Sequence, residues 1–280
     1  MPRISVGVPV FNGATYLRES LECLRQQTYR DFEIVIYDNA STDATPEIAE
    51  EFAERDRRFS VVHRNETIFQ LDNFHDGVER ADCDYFAWRA YDDLSAPTFL
   101  ECLAKLLNEN PRASLAACEV RSYEEAKDRW RMYPVPRIPR NRTLAALVQL
   151  FGCHASWFYC LFRRARLEEC SATVLRELPG ELWAHDHATL FPILIRAEAV
   201  ATNETYFIQR YMLRPQPAVK MHSSERWRIY KTFYRYFQNQ VDRSDLDPVA
   251  KAILKLAVVA YTDRQVQSLV KIARRKLMGQ

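Results

Sequence analysis

Three carboxylate sites stand out in this chain, each at a boundary between an apolar run and polar residues. Asp38 ends the run Phe32-Glu33-Ile34-Val35-Ile36-Tyr37. An acid there can accept a hydrogen bond from a nucleobase N–H, or it can cap the turn that follows; Asp43 reads first as a cap. Asp92 and Asp93 follow Asp84-Tyr85-Phe86-Ala87-Trp88. Two adjacent carboxylates are costly to hold together without a cation, and hard oxygen ligands at that place suit Mg²⁺ or Mn²⁺ bridging a diphosphate. The other reading is an N-cap for the helix that Pro97 opens. Asp186 lies between His185 and His187, ahead of the apolar run from Ala188 to Ile195. An acid entering a helix can stabilise its N-terminus, or it can take a proton from a hydroxyl held over it.

Apolar spacing supplies the elements that would position these groups. Ile4 to Val10 reads as a strand with a sharp exit, Pro9-Val10-Phe11-Asn12-Gly13, where Phe11 offers a flat face for a base. Leu17, Leu21 and Leu24 recur at helical spacing, and Phe32 to Tyr37 is a short continuous run suited to a buried parallel strand. Thr45-Pro46-Glu47 predicts a helix start with an N-cap, Pro at the first position and an acid in the first turn. Further strands are expected over 60–63, 84–88 and 114–120, and helices over 73–80 and from Pro97. This alternation predicts a mostly parallel sheet covered on both faces. In such sheets ligands bind beyond the C-terminal ends of the strands, where Asp38 and Asp92-Asp93 fall. The stretch 121–142 is rich in charge and Pro and reads as a long surface loop. Helix and strand signals return over 143–198, and the pattern after His222 is helical. Trp157, Phe158, Trp183 and Tyr206 read either as core or as faces for sugar rings.

Composition sets the outer bounds. The chain has 280 residues, 48 % apolar and 27 % charged, as in an ordinary globular protein, with only 6 Gly and therefore no Gly-rich linker. Seven cysteines without CxxC spacing argue against a disulfide framework or a zinc site and for a reducing compartment. The strand directly after the first residues gives the expectation of no leader, and no stretch is long enough to span a bilayer. A cytoplasmic location follows, with no nucleic-acid partner. Formal charge is +2, yet from Lys220 onward 13 Lys and Arg face 5 Asp and Glu, leaving a basic tail of +8 on a front of −6. Trp227, Tyr230, Phe233, Tyr234 and Phe237 recur at helical spacing beside Arg226, Arg228, Lys231 and Arg235, with Arg274, Arg275 and Lys276 beyond. Such a helix can lie on the anionic inner face of a membrane, join two copies into a homodimer, or pack on the rest of the chain.

In this order and spacing the signals resemble glycosyltransferase family 2, the large inverting family with the GT-A fold. Val8-Pro9-Val10-Phe11-Asn12 looks like its V-x-P-x-Y/F-N strand end. Ser20-Leu21, Gln27-Thr28-Tyr29 and the run from Phe32 to Asp43 match its S-x-x-x-Q-T-Y and E-I-I-V-x-D-D-x-S-x-D stretches. Asp82-Cys83-Asp84-Tyr85-Phe86 sits where G-E-Y-I is usual, and Asp92-Asp93-Leu94-Ser95-Ala96-Pro97 matches the end of D-x-D-D-x-x-x-P. The resemblance covers residues 3 to 110. Two departures are Ala90, at the first acid of the D-x-D, and His185, where Glu is common.

The resemblance implies an α/β GT-A fold, Rossmann-like, over 1–215, with a nucleotide-sugar half (1–120), an acceptor half (121–215) and a helical C-terminal extension (216–280). It implies that Pro9, Phe11 and Asp38 hold the donor's base, with Asn12 in the same nucleotide-binding strand end. Asp92 would serve both nucleotide and metal, Asp93 the metal (Mn²⁺ or Mg²⁺), and Asp186 would be the catalytic base. The reaction would be inverting transfer from a nucleotide-sugar, a UDP-sugar foremost, to a hydroxyl of a glycan or lipid-linked acceptor, in polysaccharide or glycoconjugate synthesis. The rivals are a sugar-nucleotide pyrophosphorylase, whose Gly-rich basic loop is absent from Phe11-Asn12-Gly13-Ala14-Thr15, and a non-catalytic nucleotide-sugar-binding scaffold.

Overall fold

The computed structural model describes residues 3–181, 183–211 and 222–266. Strand β1 (Ile4–Val10) is buried at every position, as a continuous apolar run requires of a strand covered on both faces. It pairs in parallel with β2 (Phe32–Asp38) and β4 (Tyr85–Trp88), and β2 pairs in parallel with β3 (Phe59–His63). Helices α1 (Ala14–Arg25), α2 (Thr45–Arg55) and α3 (Gln70–Arg80) make the crossovers. After the short β5 (Leu94–Ser95) and α4 (Phe99–Glu109), β6 (Leu115–Glu124) enters the same sheet. It runs antiparallel to β7 (Arg129–Tyr133) and β8 (Leu161–Arg163), and parallel to β9 (Ala199–Tyr211). Among the described residues the sheet has nine strands, in the order β3-β2-β1-β4-β8-β6-β9-β5 with β7 beside β6. The β1–β4 part is parallel as expected, whereas β8 is antiparallel to both β4 and β6. That double reversal makes β6 run in the direction of β1–β4.

Trp88 closes β4 and is 1 % exposed. A Cβ on Gly7 of β1 or on Gly77 of α3 would lie 2.5 Å from its ring, so both positions need glycine. Asp43 takes the capping role read for it: its Oδ1 accepts from Thr45 N–H at 3.0 Å and its Oδ2 from Ala14 N–H at 3.1 Å. One carboxylate thus ties the starts of α1 and α2, and the cap position itself is Ala44 rather than Thr45.

The stretch 121–142, expected as a loop, begins as a β-hairpin. Its charges pair along it: Glu124 accepts from Arg129 Nη2 at 2.6 Å and from Lys127 Nζ, and Glu119 accepts from Arg121 Nε at 2.6 Å. An edge strand tolerates charged side chains, so no apolar run announced it.

Helices α5 (Arg142–Gly152), α6 (Arg164–Glu177) and α7 (His185–Leu194) are followed by α8 (Ser223–Asp242) and α9 (Pro248–Val266). Phe237 of α8 packs 4.4 Å from Phe191 of α7 and 5.1 Å from Tyr261 of α9, between ring centroids. Tyr230, Phe233 and Phe237 are buried. The apolar spacing along α8 therefore serves packing on the rest of the chain. Arg274, Arg275 and Lys276, and the boundary between 215 and 216, lie outside the described residues. Among those described, no helix is long and apolar enough to cross a membrane.

Candidate active site

The chain runs from β1 outward to β2 and β3, then returns to β4 on the other side of β1. A crevice opens at that switch point, beyond the C-terminal strand ends. A recess of about 430 Å³ lies there, walled by Pro9 at the end of β1, Phe11 after it, Asn39 after β2, residues 67–70, Phe74 of α3, and Tyr91 after β4. Phe11 is 45 % exposed and leaves a ring face for stacking a base.

Asp38 does not line this recess. It is 2 % exposed; its Oδ1 accepts from Ser41 N–H at 3.1 Å and its Oδ2 meets His63 Nδ1 at 3.1 Å. Glu50 holds His63 Nε2 at 2.7 Å, and Glu50 first, then Asp38, raise the His63 pKa. Successive residues at a strand end face opposite sides, so Asn39 lines the recess instead. Its Nδ2 donates to Ile68 O at 2.9 Å, and Ile68 N–H donates to its Oδ1 at 3.0 Å. That pair of bonds holds the 64–69 loop as a wall. Asn12 is also turned away from the recess. Its backbone is left-handed at φ 51, its Oδ1 accepts from Thr42 N–H at 2.8 Å, and its own N–H donates to Ser41 Oγ at 2.9 Å. It braces the two strand-end loops against each other.

The Asp92-Asp93 pair splits. Asp93 is 3 % exposed and its Oδ1 accepts from Arg210 N–H at 2.8 Å. Burial, and next the charge of Asp92, push its carboxyl well above the usual carboxylate range. Asp92 is half-buried and follows Tyr91 at the rim of the recess. Among the described residues, no three His, Cys, Asp or Glu side chains are grouped to hold a metal. A cation at Asp92 would draw its other ligands from diphosphate oxygens and water, which suits a hard divalent ion.

Asp186 is half-buried in the first turn of α7, its Oδ1 accepting from His187 N–H at 2.7 Å. The His185 ring meets Phe74 at 6.0 Å and Phe158 at 5.4 Å, both edge-on. Phe74 is a wall of the recess, so the start of α7 and the recess share a side chain. Burial raises the Tyr159 pKa most, followed by the charges of Asp93, Asp186 and Asp92. No motif marks Tyr159; the sole sequence signal is its place after Trp157-Phe158.

Two imidazoles near Asp186 are held neutral. His154 Nδ1 accepts from Ser156 N–H at 3.2 Å, and burial brings its pKa down to about 4. Burial likewise lowers that of His187, whose Nδ1 lies 3.2 Å from the Tyr261 hydroxyl. Helix α7 itself carries a defect: Pro192 has no N–H for the carbonyl of Ala188. The Tyr236 hydroxyl of α8 donates to that carbonyl at 3.0 Å. The C-terminal helices thus hold the helix on which Asp186 stands.

A sheet of this order, with helices on both faces and a recess at its switch point, is the GT-A fold of glycosyltransferases. A profile of "Glycosyl transferase family 2" matches residues 5–170, and the chain belongs to that family. EpsH of Bacillus subtilis (strain 168), which carries a glycosyltransferase name, is 41 % identical over 101 residues, 36 % of this chain and 29 % of that protein. EpsJ of the same organism, also named as a glycosyltransferase, is 28 % identical over 181 residues, 61 % of this chain and 51 % of that protein. The chain thus spans about half or less of these relatives. S. aureus TarS 1–349 in complex with UDP-GlcNAc superposes with a TM-score of 0.71 at 16 % identity, covering 94 % of this chain and 73 % of that one. The mannosyltransferase PcManGT of Pyrobaculum calidifontis, in complex with GDP-Man and Mn²⁺, gives 0.58 at 20 % identity, covering 98 % and 75 %. At such identities these structures show the fold.

Proposed function

We propose that the protein transfers a sugar, with inversion, from a nucleoside-diphosphate sugar to a hydroxyl acceptor, with a UDP-sugar as donor. The observation that carries this reading is the recess at the switch point, walled by Pro9, Phe11, Asn39 and Tyr91, to which the start of α7, carrying Asp186, is joined through the His185–Phe74 ring contact. Inversion by a single displacement needs a carboxylate on the acceptor side, opposite the leaving nucleotide, and Asp186 meets that need. It accepts the acceptor hydroxyl's proton as the oxygen attacks the anomeric carbon. Pro9, Phe11, Asn39 and Tyr91 hold the base and ribose. Asp38 and Asn12 act from behind, by bracing the strand-end loops.

Asp92 fits a divalent cation, and Asp93, buried and accepting from the Arg210 backbone N–H, serves to set the Asp92 turn. A bound cation would offset the charge of the departing diphosphate. The complexes of TarS with UDP-GlcNAc and of PcManGT with GDP-Man and Mn²⁺ support both the donor class and the cation. Trp130, 53 % exposed and stacked 4.7 Å from Tyr123 on the β6–β7 hairpin, stands at the crevice end of the sheet and suits a glycan or lipid-linked acceptor. With the inner face of α8 packed, membrane contact or pairing of two copies would use the outer strip of α9, where Leu256 is 78 % and Val249 69 % exposed.

Calorimetry tests the donor side. UDP-sugar binding is expected to strengthen with Mn²⁺ or Mg²⁺ in the parent and to lose that response in Asp92→Asn. Equal binding with and without the cation in the parent would remove the metal from the reading.

A further inference from the structure

The end of the sheet opposite the donor crevice holds a second, larger cleft, of about 590 Å³. It lies at the starts of β6 and β9, paired through Leu115 and Ala199. Because β6 runs in the direction of β1–β4, these starts face away from the crevice, about 20 Å from it by the rise of the strands. The 138–142 segment, one face of α5 and the turn before β9 form its walls.

Its polar lining is mostly arginine: Arg112, Arg140, Arg142 and Arg196 against Glu198 and Asp245. The two acids are already engaged. Asp245 meets Arg142 Nη2 at 3.0 Å and Arg196 Nε at 3.5 Å, and Glu198 takes Ser114 Oγ at 3.0 Å and Arg166 Nε at 3.3 Å. Among the described residues neither Arg112 nor Arg140 has an ion-pair partner. Exposed arginines alone would be a solvated basic face. Gln149, however, is 1 % exposed, lines the same cleft, and leaves its Oε1 without a hydrogen bond among the described residues. The orientation of its amide is fixed, because Nε2 donates to Ala199 O at 2.8 Å and a flip would set two oxygens together. A buried acceptor left open at the cleft calls for an O–H or N–H donor.

We propose that this cleft binds a free phosphorylated polyol or sugar phosphate. The guanidinium groups take the phosphate oxygens, for which the planar fork of arginine is suited. Gln149 Oε1 takes a hydroxyl of the same ligand. Among the described residues no aromatic side chain lines the cleft to offer a face for a nucleobase, and its concavity suits a free small ligand over a bilayer surface.

Glycerol 3-phosphate, inorganic phosphate and glycerol serve as probes in calorimetry, with vesicles of phosphatidylglycerol in phosphatidylcholine as the lipid arm. Glycerol 3-phosphate is expected to bind saturably and more tightly than inorganic phosphate, with no binding of glycerol and no co-sedimentation. The double variant Arg112→Gln, Arg140→Gln removes two exposed, unpaired charges, so its melting temperature should match the parent's. It should weaken glycerol 3-phosphate roughly tenfold or more and leave the donor KM unchanged. Gln149→Met should remove the preference for glycerol 3-phosphate over phosphate; if it does not fold, the arginine variant and the probe ranking still decide. Absence of saturable binding, equal binding in the arginine variant, a parallel rise in donor KM, or binding confined to vesicles would each overturn the proposal.

Discussion

Replacing Tyr236 by Phe removes one oxygen from a side chain that is 2 % exposed, with the ring's packing kept. Its consequence follows from Pro192. In α7 the carbonyl of Ala188 should accept from the N–H four residues on, but that residue is proline, and the Tyr236 hydroxyl at 3.0 Å supplies the missing donor. Ala188 is 0 % exposed, so water does not reach the carbonyl in the variant. Stranding a buried acceptor costs about 1–3 kcal/mol, and Tyr236→Phe should lose about 2 kcal/mol of that range. The same substitution in a Pro192→Ala background should cost well under 1 kcal/mol, because the backbone N–H that alanine restores then serves the carbonyl. Urea unfolding followed by tryptophan fluorescence on the parent, both single variants and the double variant closes the cycle. A Tyr236→Phe loss below about 0.5 kcal/mol, or an equal loss in both backgrounds, would refute the reasoning. The single variant should also slow sugar transfer, since the loosened helix carries Asp186.

Acid should weaken the fold through His154. Its pKa falls to about 4 in the folded chain and returns to its ordinary value on unfolding, so the unfolded state binds the extra proton first. That part of the stability is complete above about pH 6.5 and is lost as pH falls toward 4, a span on the order of 3 kcal/mol. His154→Asn, which can keep the bond to Ser156 N–H, should flatten this limb of a stability-against-pH curve; an unchanged slope would contradict it. Asn39→Ala removes both bonds to Ile68 and should cost roughly 1–3 kcal/mol in denaturant titrations while raising the donor dissociation constant. Parental donor affinity in that variant would show that the 64–69 wall stands without Asn39.

Much of the donor half was legible because its elements advertise themselves locally. The apolar runs of β1 and β2, the Leu17-Leu21-Leu24 stripe and the Pro46 helix start each depend on neighbours in sequence. Pro9 and Phe11 belong to the same strand end and line the recess. Which side of a strand end faces the crevice is a matter of one residue's rotation, and there the acid Asp38 drew attention from Asn39, the residue that lines the recess. The buried Asp93 finds its partner in the Arg210 N–H, 117 positions away, and no local pattern could show it. The β6–β7 hairpin was hidden because its charges pair at the turn and across the strands, on Glu124. Tyr159 was hidden because the charges that act on it come from two distant segments, 92–93 and 186. The aromatic spacing of α8 was visible, but whether it met lipid, a second copy or α7 depended on contacts only the folded chain displays.

Asp186 is where the proposed chemistry is most exposed to test. Asp186→Asn keeps the side chain's shape and its acceptor for His187 N–H while removing the capacity to take a proton. The decisive measurement is the single-turnover transfer rate of this variant at saturating donor and acceptor, alongside its donor affinity by calorimetry. The expected result is a rate lower by about 10²–10⁴-fold with donor binding unchanged. A parental rate in the Asn variant would place the base elsewhere and contradict the assignment of the acceptor side to the start of α7.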